Sequence, residues 1–374
     1  EDWRREARKK LPAFLFDYID GGSGGEITLG RNEGALARIV LRQRVMRDVS
    51  QRTLVTTLAG QPAAMPLALA PVGLAGLMAP RGEVLAARAA QQAGIPFCLS
   101  TVSICAIEEV KQATTAPFWF QLYLMKDRGY ARELVQRAQA AGCSALVVTA
   151  DLAVTGIRRR DQQHATVDGG TLAMKLRRHL SLLARPGWVG RVALGGQPLV
   201  FGNLAAAVPD GRNIEAFKHW VASQFDDRVT WKDLEWLRGL WSGPLIVKGI
   251  LDPDDARAAA AAGATGIVVS NHGGRQLDGA SAAIAALGPI TAAVGGAVEV
   301  LMDGGIRSGA DLAKACALGA RGGLVGRPWA YALAVAGEAG VSAMLATLKR
   351  ELDTTLALMG LTGLEQLDRS ALLD

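Results

Sequence analysis

The chain has 374 residues, half of them hydrophobic and one fifth charged, with 41 Lys and Arg against 35 Asp and Glu. That length suits one α/β domain with a large core and an insertion, while apolar runs such as 258–262 and 67–71 fall far short of the roughly 18 residues a membrane-crossing helix needs. Cys98, Cys105, Cys143 and Cys316 form no CxxC pair and have no metal-type spacing to the four histidines, so they indicate neither a metal site nor a disulfide framework, and buried reduced thiols are expected.

In chain order, the first residues, Glu1-Asp2-Trp3-Arg4-Arg5, hold no apolar signal-peptide core, so the cytoplasm is the expected compartment. Residues 7–19 read as a helix with Leu11, Phe14, Leu15 and Tyr18 near one face, followed by Asp20-Gly21-Gly22. Eight short apolar runs follow, at 66–70, 96–100, 118–123, 145–149, 244–248, 266–270, 298–303 and 322–325. Between them lie helical patterns such as 81–93, 127–141, 253–262 and 308–318. Eight strand-helix units predict a TIM-type (β/α)8 barrel occupying 1–374 as one domain with an N-terminal helical segment, and no GxGxxG follows the first strand to favour an open doubly wound sheet. Residues 341–359 read as a closing helix.

Strand starts lie roughly 22 to 32 residues apart, as a strand, a helix and two loops require, except for a gap of about 100 after the fourth. A basic inserted loop is therefore expected at 160–210. From Arg158 to Arg191 there are eight Lys or Arg against Asp161 and Asp168, which is the whole charge excess of the chain. Mixed with Leu and Trp, this stretch reads either as an anionic-membrane contact or as a solvated loop. The charge balances elsewhere and no aromatic-interleaved basic surface appears, so nucleic acid is not an expected partner.

Polar residues recur at the strand ends, which in a barrel share one face: Ser100, Gln121 with Tyr123, Thr149 with Asp151, Lys248, Ser270, Asp303 and Arg327. The stretch Ser270-Asn271-His272-Gly273-Gly274-Arg275-Gln276 puts an imidazole and a guanidinium together after the sixth strand. An imidazole exchanges protons near neutral pH and a guanidinium grips a carboxylate through two parallel hydrogen bonds, so this end reads as a proton-abstracting site for an anionic substrate. The glycine-rich turns Asp303-Gly304-Gly305-Ile306-Arg307 and Gly326-Arg327-Pro328 read as a phosphate cradle. Lys248 then has two open roles: a point charge beside an electron-rich ligand, or a Schiff-base amine in an aldolase or isomerase of a phosphorylated sugar. A non-catalytic barrel that binds a membrane or a protein is a third reading.

SNHGGRQLDG at 270–279, FQLY at 120–123, VKGIL at 247–251, DGGIR at 303–307 and GRP at 326–328 resemble, in order, the motifs of the FMN-dependent L-2-hydroxy acid dehydrogenases and oxidases. Within that family, WKDLEW at 231–236 and LSTVS at 99–103 resemble the bacterial L-lactate dehydrogenases first and (S)-mandelate dehydrogenase second. The resemblance implies FMN as cofactor and oxidation of a 2-hydroxy acid, L-lactate ahead of (S)-mandelate or another aryl or long-chain acid. It implies His272 as base, Asp151 as its carboxylate partner, and Arg158, Arg275, Tyr18 and Tyr123 around the substrate. Lys248 would face the flavin N1 and C2 carbonyl, Asp303, Gly305, Arg307, Gly326 and Arg327 would hold the ribityl phosphate, and Ala70, Pro71, Val72, Ser100, Gln121, Thr149 and Ser270 would line the isoalloxazine. Gly73 stands where oxygen-using members tend to carry Ala, which points to a dehydrogenase passing electrons to a quinone, peripheral on the inner face of the cytoplasmic membrane. Val102 replaces a large aromatic of a glycolate-oxidising relative and leaves room for a substrate side chain, whereas Leu152-Ala153-Val154-Thr155-Gly156 looks more like the mandelate enzyme. A homotetramer is the assembly the resemblance implies.

Overall fold

In the computed structural model, residues 2–163, 171–196, 198–205, 207 and 223–373 are described. Eight parallel strands, β1 (Leu67–Leu69), β2 (Cys98–Ser100), β3 (Trp119–Leu122), β4 (Ala145–Thr149), β5 (Leu245–Ile250), β6 (Gly266–Val269), β7 (Glu299–Met302) and β8 (Gly322–Val325), lie in the order β1-β8-β7-β6-β5-β4-β3-β2. The ring closes between its two ends, where Leu69 bridges to Phe97 and its N–H donates to the Pro96 carbonyl at 2.9 Å. This is the TIM-type barrel expected from the eight-fold repeat.

Side chains alternate across a strand, and a barrel strand is buried on both faces. Ala68, Cys98, Trp119, Val147, Ile246, Val268, Leu301 and Leu324 accordingly point inward and form one cluster. Their neighbours Leu67, Leu99, Phe120, Leu146, Val247 and Ile267 point outward into a second cluster shared with the surrounding helices. A short hairpin, Thr56–Leu58 with Gln61–Ala63, plugs the N-terminal end of the barrel with Leu58, Ala59 and Ala63. The polar mouth is thus left at the C-terminal strand ends. All four cysteines are buried and free.

The expected N-terminal helix over 7–19 is in fact two helices, Asp2–Lys10 and Ala13–Asp20. Pro12, at φ −54° and ψ 144°, has no N–H to continue the first helix and drives the residue before it out of helical geometry. The turn lets the second helix point its C-terminal end, with Tyr18, at the barrel mouth. The closing helix also starts earlier than its pattern suggested. It runs Arg327–Leu358, broken at Ala336 and at Gly337, whose φ is 60°. By length and composition it is apolar enough to cross a membrane, yet half of that apolar window is buried and Trp329, Ala330, Ala332 and Leu333 sit in the cluster that the strands share with the surrounding helices.

The 160–210 insertion is more structured than the expected loop, although its residues 164–170, 197, 206 and 208–210 lie outside the described set. Helix Leu172–Leu183 is capped by Thr171 and leads through Pro186–Trp188 into a π-helical turn, Val189–Leu194. Trp188 anchors the segment, its indole N–H donating to the Leu77 carbonyl at 2.8 Å and its ring standing edge-on to Phe14. Arg185 donates to the carbonyls of Leu11 and Arg8. Beyond the insertion, Phe225 bridges to Met125 and stands edge-on to Tyr123 at 5.7 Å.

Candidate active site

His272 follows β6 at φ 57°, a left-handed conformation rarely taken by a residue with a side chain. The surrounding loop enforces it: its N–H donates to Ser270 Oγ at 3.0 Å, and Gly273 and Gly274 continue at positive φ. The strained turn aims Nδ1 at Asp151 Oδ1, 2.9 Å away, from the end of β4. Gly249 makes room for that carboxylate, since a Cβ there would stand 2.7 Å from the Cβ and Cγ of Asp151. Burial works to raise the Asp151 carboxyl, but the imidazole and Lys248 outweigh it and hold it below its ordinary value. Asp151 Oδ2 is buried without a hydrogen-bond partner among the described residues. Gln276 locks the two loops together by donating to the Asp151 carbonyl at 2.7 Å.

Beside this pair lies a candidate anion receptor. Tyr18 is flanked by two guanidiniums, Arg275 at 5.1 Å and Arg158 at 5.8 Å from its ring centre. Burial, followed by the charge of Arg158, pushes the Arg275 pKa down. Two cations facing one another in a buried site are best stabilised by an anion between them. The Arg158 guanidinium is meanwhile steadied by Asp161 Oδ2 at 2.6 Å. Tyr123 connects the two halves: burial pushes its hydroxyl up, and it feels the charges of Tyr18, Asp151, Arg275 and Arg158.

On the other side of the mouth, Lys248 in the C-terminal half of β5 reaches Asp303 Oδ2 and Ser270 Oγ, both at 2.9 Å. Burial opposes its charge, but Asp303 and Asp151 raise its pKa, so the ammonium stays protonated. A Schiff-base amine has to be neutral to attack, and this environment favours the opposite state. Ser100, Gln121 and Thr149 form a buried chain, with Gln121 Nε2 donating to Thr149 Oγ1 at 3.0 Å and Ser100 Oγ donating to Gln121 Oε1 at 3.2 Å. Ala70 is seated by its N–H to the Val325 carbonyl, and Pro71 and Val72 continue from it beside Gly326.

Those residues fit FMN. Asp303 Oδ1 is a buried acceptor without a partner among the described residues, suited to a ribityl hydroxyl. The N-terminus of helix Arg327–Leu358 has no side-chain cap at Gly326, so its first amides are available to a phosphate. Gly305 has φ 101°, and a Cβ there would meet Leu36 at 2.8 Å. The two arginines of the glycine turns are directed elsewhere in this structure: Arg307 pairs with Glu33 at 2.8 Å, and Arg327 spends its guanidinium on the carbonyls of Ile19, Gly21 and Gly273.

Several contributors have partners that no sequence motif announces. Asn32 and Asn271 exchange amide hydrogen bonds at 2.9 and 2.7 Å, fastening helix Ile27–Arg38 to the loop of His272. Asp278 accepts from the N–H groups of Gly25 and Thr28 at the start of that helix. Their partners lie about 240 to 250 residues away in the chain, so no local pattern announces them.

Fold and site together define an α/β barrel whose rim carries an imidazole–carboxylate pair, a tyrosine between two guanidiniums and glycine turns that fit a phosphorylated cofactor. The FMN-dependent dehydrogenase family model matches residues 7–374. L-lactate dehydrogenase of Caulobacter sp. strain K31 is 52% identical over 99% of this chain and 97% of its own. L-lactate dehydrogenase of Pseudomonas syringae pv. syringae strain B728a is 50% identical over 99% and 97%. Among solved structures, the monotopic membrane protein (S)-mandelate dehydrogenase superposes with a TM-score of 0.93 at 36% identity, covering 100% of this chain and 98% of that one. A mandelate oxidase gives 0.83 at 40% identity, covering 100% and 96%. The chain belongs to the FMN-dependent dehydrogenase family, and FMN is its cofactor.

Proposed function

We propose that this enzyme oxidises L-lactate to the 2-oxo acid and passes the electrons to a membrane quinone. The observation that carries the reading is the His272–Asp151 pair at 2.9 Å beside a tyrosine clasped by two guanidiniums, which matches a 2-hydroxy carboxylate group for group. The names of the relatives at 50–52% identity support lactate as the acid. In this reading Arg275 and Arg158 hold the substrate carboxylate, with Tyr18 as a further donor and Tyr123 at the hydroxyl that becomes the keto oxygen. His272 Nε2 takes the proton, and Asp151 fixes the tautomer through Nδ1 and stabilises the imidazolium that results. FMN, when bound, accepts the two electrons. Lys248 contributes a positive charge where negative charge develops on the cofactor. Asp303, Gly305 and the Gly326-Arg327 turn hold the ribityl phosphate, with Arg307 at its edge. Ala70, Pro71, Val72, Ser100, Gln121, Thr149 and Ser270 surround the flavin ring.

A second acid is favoured by one specific feature. Leu152 to Gly156, beside Asp151, looks more like the mandelate enzyme than the lactate one. Anaerobic mixing of the holoenzyme with L-lactate and with (S)-mandelate, followed by flavin absorbance, decides between them. Faster bleaching by lactate is expected; faster bleaching by mandelate transfers the assignment to that acid, and no bleaching by either ends both.

The membrane part of the reading rests on helix Leu172–Leu183. Leu172, Leu176, Leu180 and Leu183 are 83%, 58%, 57% and 76% exposed and recur at helical spacing, with Lys175, Arg177 and Arg178 between them. An apolar stripe edged by cations suits an anionic bilayer, each cation contributing on the order of 1 kcal/mol. Such a face would hold the enzyme peripherally at the cytoplasmic membrane, next to a quinone acceptor. The homotetramer belongs to the same reading and is checked by light scattering of the holoenzyme.

A further inference from the structure

We propose that Asp20 is a positioning residue for the reaction, a buried carboxylate that fixes the turn carrying Tyr18 and holding Arg275. The inference rests on the reading that Tyr18 and Arg275 meet the substrate carboxylate.

Helix Ala13–Asp20 ends at Gly21, and the last carbonyls of a helix have no partner within it and carry its partial negative charge. Here those carbonyls are occupied by guanidiniums. The Tyr18 and Gly21 carbonyls accept from Arg275 Nη1 at 2.6 and 3.0 Å, and the Ile19 and Gly21 carbonyls accept from Arg327 at 3.1 and 2.9 Å. Arg275 is therefore aimed by the backbone of the same turn that bears Tyr18, and any shift of that turn moves both groups together.

What holds the turn is Asp20, only 3% exposed. Its carboxylate accepts from Arg4 Nε at 2.5 Å and Nη2 at 2.9 Å, from Arg160 Nη1 at 2.7 Å and from the Tyr331 hydroxyl at 2.7 Å. These donors come from three separate places: the first helix, the start of the insertion and the closing helix. Arg160 also reaches Glu26 Oε2, whose other oxygen accepts from the Gly22 N–H at 2.9 Å, so the turn is gripped on its far side as well. Gly21 has no slack, because a Cβ there would stand 2.6 Å from the Asp17 carbonyl. Four donors account for the acceptor capacity of the Asp20 carboxylate, so it acts on the substrate through Tyr18 and Arg275 and not by contact.

Asp20→Asn keeps the size of the side chain but turns one acceptor into a donor facing guanidiniums. With the FMN-loaded variant, the KM for L-lactate and the Ki of oxalate, used as a carboxylate probe, should both rise at least about tenfold while kcat stays within about threefold. A merely structural carboxylate would lower Tm and leave KM and Ki in place, and that result overturns the inference. If Asp20→Asn does not fold, Tyr331→Phe and Arg160→Gln each remove one donor and should raise KM by about threefold; folded holoenzyme with unchanged KM in both also overturns it. Arg275→Lys separates the two levels. Unchanged KM and Ki in that variant refute the carboxylate reading itself, whereas a large rise there with a silent Asp20→Asn refutes only the role of Asp20.

Discussion

His272 sits in left-handed backbone geometry with its Nδ1 held by Asp151, so the ring presents its other nitrogen to the barrel mouth. General bases of this kind contribute roughly 10² to 10⁴ in rate. His272→Gln should therefore slow anaerobic flavin reduction by lactate about 10³-fold while leaving the flavin bound and its spectrum intact. Reduction at the parental rate would remove His272 from the chemistry. Gly73 offers a test of the substrate pocket, because a Cβ there would stand 2.8 Å from Val102 Cγ2 and 3.2 Å from the Tyr18 hydroxyl. Gly73→Ala is expected to raise KM for lactate by displacing Val102 or Tyr18, and adding Val102→Ala should restore it. If the double variant is as impaired as the single one, the crowding does not arise at Val102.

At the level of elements, the N-terminal helix pair and the insertion complete the mouth that the strands only begin. Helix Ala13–Asp20 supplies Tyr18 and the carbonyls that aim Arg275, while helix Ile27–Arg38 braces the His272 loop through Asn32. The anchoring charge leaves a pH signature. Burial raises the Asp20 carboxyl, but Arg4, Tyr331 and Arg160 outweigh it and hold it well below the usual carboxylate range. A carboxyl depressed in the folded state gives stability that is fully present above its unfolded pKa, near 3.9, and is lost as pH falls through the folded value. Thermal melts of the parent and Asp20→Asn should therefore differ by a constant gap at neutral pH that narrows below about pH 4. A gap independent of pH down to the acid limit would assign the stabilisation to packing instead.

For the molecule as a whole, the eight strand ends share one rim, and the insertion packs beside it through Trp188 and Arg185. Of the basic excess, Arg158, Arg160 and Arg185 are committed to internal contacts. The exposed leucine stripe is thus the main element of any bilayer contact. Leu176→Asp with Leu180→Asp should abolish sedimentation with anionic liposomes while leaving lactate oxidation with a soluble acceptor unchanged. Sedimentation that persists in the double variant would place the membrane contact elsewhere.

The sequence by itself determined the barrel, because hydrophobic alternation and strand-helix spacing are local properties that survive in one dimension: 145–149 and 322–325 are strands to the residue. It also determined the chemical groups of the site, since His272 and Arg275 are three positions apart and the polar strand ends recur in register. Local pattern misjudged the N-terminal helix, where one proline outweighed apolar periodicity, and the closing helix, whose first turns are apolar on all sides. Only the tertiary structure decided which residues support those groups. Asp20, Asn32, Gly249 and Arg160 meet their partners across up to about 300 residues of chain, and hydrogen bonding between buried groups depends on position in space and leaves no periodicity to read.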